Sequence, residues 1–255
     1  TDGHMYRATQ LGQSIVRVAG TPGAVPSNVT TLDTTAGEVF HRLHFALPNK
    51  KGVLFVVYYG PVSGRGSAIA VHNFATGKHV WSVDFKQKFG SEKGFFGAAC
   101  SPLVEGDRVL MNVGGPNGAG VAAFDAATGK VLWTATNDEA GYSAPVAATI
   151  DGVRHALFFT RNALVDIDPA TGKVRWDTKV PGDPLGGAIV VNNLVFTALI
   201  DGQIVALDRT RGKIVWKVKA PGGINGWMSA AGELLGVPVG SAQHPRPVDY
   251  LIPLT

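Results

Sequence analysis

The chain holds one cysteine, Cys100, so no disulfide can form within it. Charge is sparse: 16% of residues are charged, and the net charge of +4 is scattered. No long basic stripe with interleaved aromatics occurs, which argues against a nucleic acid partner. The densest basic stretch, Lys86 to Lys93, reads as a solvated loop. No apolar run reaches the roughly eighteen residues that a membrane-spanning helix needs. No ten-residue stretch carries helical periodicity. The chain starts at Thr1 with no recognisable signal peptide and is read as a mature or trimmed form. What is abundant is glycine, 33 residues, with 15 prolines and 45% hydrophobic residues over a length of 255. That suffices for one all-β domain.

One phrase recurs. It reads HNFATGKHVW around Gly77, FDAATGKVLW around Gly129, IDPATGKVRW around Gly172 and LDRTRGKIVW around Gly212. A weaker copy, LDTTAGEVFH, surrounds Gly37, with His41 in place of the tryptophan. The spacings of 40, 52, 43 and 40 residues suit a four-stranded propeller blade. The apolar run before the aspartate reads as a strand. Asp125, Asp168 and Asp208 can accept nearby backbone N–H groups and start a turn. Glycine permits the positive φ of a short hairpin with a bulge. Trp81, Trp133, Trp176 and Trp216 share one place on the outgoing strand, where a large ring can fill the gap between neighbouring units.

Between these hairpins lies a second one in each period. ACSPLVEGDRVLMNVGG turns at Gly106, and GAIVVNNLVFTALI turns at Asn192-Asn193. Each period is thus four antiparallel strands. The expected architecture is an all-β propeller in a single domain, 1–255. Its blades fall at about 11–40, 41–86, 87–138, 139–181, 182–222 and 223–255, the last closed by residues 1–10. Closure by strands from both termini would leave no free edge. Six blades are expected, with a fragment of a seven- or eight-bladed ring as the alternative.

The motif A-x-D-x-x-T-G-K-x-x-W resembles the tryptophan-docking repeat of bacterial β-propellers of the pyrroloquinoline quinone (PQQ) repeat superfamily. That superfamily includes quinoprotein alcohol dehydrogenases and a non-enzymatic propeller lipoprotein that assists outer-membrane barrel assembly. The resemblance covers roughly residues 67–240 and implies a secreted or periplasmic bacterial protein. It implies either a binding and scaffold role or a PQQ-dependent dehydrogenase. The dehydrogenases pair two adjacent cysteines beside the cofactor and hold a calcium or lanthanide ion through Glu, Asn and Asp. A single cysteine cannot supply that pair, and no such metal set can be placed. Fold alone does not determine activity. The expectation is therefore a non-catalytic, monomeric binding protein, with PQQ plus calcium as the alternative cofactor. Envelope proteins, peptides or a small axial ligand are the expected partners.

Candidate binding residues sit where inner strands begin: Ser101, Tyr142, Ser143, Asn225 and Trp227. The small residues around them could equally serve to let inner strands crowd the axis. His41 and His44 are three apart on an expected strand and so point to opposite faces, which argues against a shared metal. Asp166-Ile167-Asp168 lacks the spacing of a calcium loop. Cys100, in apolar surroundings, reads as a buried structural thiol. No catalytic residue and no metal site are assigned.

Overall fold

The computed structural model describes residues 5–8, 15–19, 28–31, 43–48, 53–59, 67–73, 79–92, 98, 100–182, 184, 186–241 and 244–253. These form six antiparallel sheets and one short helix. The first sheet holds β1 (Met5–Ala8), β2 (Ile15–Ala19) and β3 (Asn28–Thr31). The second holds β4 (Leu43–Pro48), β5 (Val53–Tyr59), β6 (Ser67–Asn73) and β7 (His79–Asp84), and is followed by α1 (Phe85–Phe89). The third comprises β8 (Leu103–Glu105), β9 (Arg108–Asn112), β10 (Val121–Asp125) and β11 (Val131–Ala135). In the fourth are β12 (Val146–Ile150), β13 (Val153–Phe159), β14 (Ala163–Ile167) and β15 (Val174–Lys179). The fifth contains β16 (Ile189–Val191), β17 (Leu194–Ala198), β18 (Gln203–Asp208) and β19 (Ile214–Lys219). The last has β20 (Ser229–Ala231), β21 (Leu234–Ser241) and β22 (His244–Pro253). Within every sheet the strands lie in sequence order, as in propeller blades.

Two features differ from the sequence-based expectation. Residues 1–10 were expected to complete the last blade, but Met5–Ala8 pairs with Ile15–Ala19 in the first sheet. The basic stretch after Asp84 is partly helical rather than a loop. Asp84 caps α1 by accepting from the Gln87 N–H at 2.9 Å, and Gly90 ends it in the left-handed region at φ 70°. The helix survives at five residues because it is anchored: Phe85 is fully buried and stacks on Phe124 at 6.5 Å.

The repeated phrase builds the same hairpin each time. Asp125 Oδ1 accepts from the N–H groups of Ala127 and Thr128, and Asp168 and Asp208 repeat this two and three residues on. Gly129, Gly172 and Gly212 have φ of 73°, 78° and 68°, and each N–H returns to the carbonyl of its aspartate. The ladder slips one step just before each aspartate, between Ala123 and Phe124, Asp166 and Ile167, and Ala206 and Leu207. That bulge carries the extra residue and turns the outgoing strand.

The core lies between sheets. The third strand of a blade is buried on both faces, so its sequence is continuously apolar rather than alternating. In β10, Ala122 and Phe124 pack toward Ile69, Val71 and Trp81, while Val121 and Ala123 pack toward Phe158, Val165 and Ile167. In β18, Val205 and Leu207 meet Leu164 and Trp176, while Ile204 and Ala206 meet Met228, Leu235 and Val237. The third and fifth sheets are thus each a wall shared by two cores.

Candidate functional site

Adjacent sheets are joined by one recurring contact. A Cβ added at Gly129 would fall 2.7 Å from Cδ2 of Trp81. Likewise Gly172 lies against Trp133 at 2.7 Å and Gly212 against Trp176 at 2.5 Å. Each tryptophan therefore lies on the motif glycine of the following sheet, where any side chain would hold the ring away. Trp81 Nε1 donates to the Ala126 carbonyl at 3.1 Å, and Trp176 Nε1 to the Arg209 carbonyl at 2.7 Å. Trp133 differs: its buried Nε1 makes no hydrogen bond among the described residues. The corresponding acceptor position is Pro169. Ala126 and Arg209 use their own N–H groups to tie the hairpin to the carbonyls of Asp107 and Asn193, and proline has no N–H to do so. Ion pairs cross the same interfaces, from Arg154 to Glu105 and from Arg209 to Asp151.

The inner-strand candidates are only partly brought together. Ser143 is buried and its hydroxyl donates to Gly186 O at 2.6 Å, with Pro184 O second at 3.1 Å. Trp227 is 52% exposed and its ring lies on Gly187, where an added Cβ would sit 2.1 Å from Cζ3. Gly186 abuts the Gly226 carbonyl in the same way. Ser143 and Trp227 are thus linked through the segment around Gly186 and Gly187, and the inner strands crowd closely there. Tyr142 is half-buried and carries the Arg161 guanidinium 4.9 Å above its ring, a cation–π contact. Ser101 is half-buried and Asn225 is exposed. The side chains of His41, His44 and His72 lie outside the described residues.

In the sequence Asp166-Ile167-Asp168 stands out only as a failed calcium loop; in the fourth sheet both aspartates belong to a buried polar cluster. Asp166 is fully buried, with His155 Nδ1 2.7 Å from Oδ2 and Arg175 Nη1 3.5 Å from Oδ1. Arg175 also donates to Asp168 Oδ2 at 2.8 Å. Burial pushes the Asp166 carboxyl up, against the pull of His155 and Arg175. Partial burial also acts upward on Asp168, but the N–H donors of Ala170 and Thr171 with Arg175 outweigh it and hold that carboxyl below its ordinary value. Register shows what is unusual: the residue opposite the tryptophan is Ala123 in the third sheet and Ala206 in the fifth, but Asp166 here. Aligning the repeats on tryptophan would have exposed it.

The Cys100 thiol is fully buried between Met111 and the Asn112 carbonyl, and burial pushes it up to about 12, so it is no nucleophile near neutral pH. Among the described residues, no group of three or more His, Cys, Asp or Glu side chains is placed to hold one metal ion. No helix among the described residues is long and apolar enough to cross a membrane.

Comparison with known proteins places this architecture. The family described as "Outer membrane protein assembly factor BamB" matches residues 14–238. The BamB protein of Burkholderia pseudomallei (strain K96243) is 35% identical over 106 residues, 42% of this chain and 26% of that protein. The matched segment thus spans about a quarter of that relative. The crystal structure of BamB from Moraxella catarrhalis superposes with a TM-score of 0.65 at 15% identity, over 99% of this chain and 70% of that one. The quinohemoprotein alcohol dehydrogenase ADHIIG from Pseudomonas putida HK5 does so at 0.54 and 13% identity, over 94% and 61%. At such identity the two structures show the fold alone. With the family matched along most of its length, the chain belongs to the BamB-like family of PQQ-like repeat β-propellers.

Proposed function

We propose that this chain is a non-catalytic binding and scaffold propeller of the bacterial envelope, working in the periplasm on protein partners of outer-membrane assembly. The observation that carries this reading is the family match along residues 14–238. The candidates at the starts of the inner strands, the expected mouth of the propeller, support it. Trp227 offers an exposed ring braced on Gly187, and Tyr142 and Arg161 offer a stacked aromatic and cation. Exposed aromatics on rigid backbone are good anchors for a peptide or protein surface.

The test is photo-crosslinking in the bacterial envelope, with a benzophenone side chain at position 227 or 225 and a control at Lys217 on the outer strand. Adducts with an envelope protein from the mouth positions, and none from the control, are expected. Adducts absent at the mouth would sink the reading. So would a dehydrogenase result in a parallel titration with PQQ and calcium. A true cofactor at 100 times its dissociation constant would add about 2.7 kcal/mol of stability and raise the melting temperature. We expect no shift and no alcohol or sugar oxidation.

A further inference from the structure

The dipeptide Asn-Gly occurs twice in the chain, at Asn117-Gly118 and at Asn225-Gly226. It is the pair most prone to lose ammonia. Glycine leaves the attacking amide nitrogen unshielded and the backbone free to turn toward the side chain. Both asparagines are exposed, so exposure does not separate them. Backbone geometry does.

Asn117 opens a tight turn, in which the Ala119 N–H donates to the Pro116 carbonyl at 3.2 Å. Its φ is 57° and that of Gly118 is 81°, the two positive values of a type I′ turn. Closing a five-membered imide needs the Cα–Cβ bond nearly eclipsed with the bond to the next nitrogen. The left-handed conformation turns the two almost opposite. The nitrogen is also occupied, since Gly118 N–H donates to Asn137 Oδ1 at 2.6 Å. Asn225 has neither restraint. Among the described residues, left-handed φ outside glycine occurs at Asn117, Thr136, Asp151 and Asn192, and not at Asn225. Gly226 N–H has no hydrogen-bond acceptor among the described residues.

We propose that Asn225 is a site of spontaneous deamidation and isomerisation in the folded protein, and that its turn shields Asn117. Hydroxide takes the proton of the Gly226 N–H. The nitrogen attacks Cγ of Asn225, and Nδ2 leaves with a proton from water as ammonia. Water then opens the cyclic imide at one of its two carbonyls. One opening gives aspartate with the main chain as before. The other gives isoaspartate, with the main chain routed through Cβ. Either product adds one negative charge beside Trp227. The second also inserts a methylene ahead of Gly226 and Trp227, where Gly186 and Gly187 leave no room for a side chain. This inference needs only solvent and is independent of the partners proposed at the mouth.

The test ages the full chain in mildly alkaline buffer, folded and in urea, and follows both sites by peptide mass spectrometry. Circular dichroism confirms that the first sample stays folded. In urea the two dipeptides should convert at similar rates. In the folded chain Asn225 should convert at least tenfold faster than Asn117, and fragmentation should find both isomers at that position. Asn225→Gln, whose longer side chain closes a six-membered ring far more slowly, should remove the mass gain from its peptide. Equal rates in the folded chain, a faster reaction at Asn117, or conversion of Asn225 only in urea would overturn the proposal.

Discussion

Gly152 and Gly172 have nearly the same backbone, φ 77° and 78°, and very different surroundings. Nothing lies within 4 Å of a Cβ at Gly152, while a Cβ at Gly172 would strike Trp133. Gly152→Ala should therefore cost about 1 kcal/mol, the left-handed backbone strain alone. Gly172→Ala should cost about 1–3 kcal/mol more, because the ring must move or the hairpin must give. Urea unfolding of the two variants measures the difference. Equal losses would mean that the tryptophan seat contributes nothing beyond backbone geometry. The glycines themselves were legible, since a turn motif is local. Which tryptophan meets which glycine was not, because that contact joins residues about forty positions apart in sequence, Trp133 with Gly172 and Trp176 with Gly212.

At the scale of elements, the outermost strands are the exposed edges. The residue before the motif tryptophan faces outward and is apolar in three of them: Val80 at 48% exposed, Leu132 at 44% and Val215 at 52%. In the fourth it is Arg175. Charged residues on such edges discourage strand-to-strand association. Leu132→Lys with Val215→Lys should leave the unfolding midpoint within about 0.5 kcal/mol and slow aggregation at high concentration. Light scattering and urea melts distinguish this from a loss of packing, which would lower stability in step. The strands were readable from hydrophobic runs and paired turn signals. Helix α1 was not, since five residues are too few to show a period; only its bracketing by Asp84 and Gly90 marked it. The partner of Met5–Ala8 was not legible either, because a short apolar strand matches many edges and its choice is settled by non-local pairing.

At the scale of the whole molecule, two neighbouring carboxylates of the fourth sheet are expected to make contributions of opposite sign to the pH dependence of stability. Burial raises Asp166, so its contribution is fullest below its unfolded value and is lost as pH rises through the folded one. Asp168 is held low, so its contribution is present above its unfolded value and is lost as pH falls through the folded one. Relative to the parent, Asp166→Asn should therefore lose less stability at neutral pH than at about pH 4, and Asp168→Asn should lose more at neutral pH than in acid. Parallel slopes for the two variants in urea melts across that range would contradict the assignment. Arg175 bridges both groups, so its removal should couple the two profiles.

The seating of the indoles has a spectroscopic consequence. Trp81, Trp133 and Trp176 stand at successive joints of the array, each read out by an emission wavelength that shifts when its joint opens to water, while Trp216 and Trp227 are partly wetted from the start. Variants retaining one joint tryptophan each would turn an unfolding curve into a sequence of local clocks. The chain carries its own set of positional dyes, and the order in which they redden would say from which end the array comes apart.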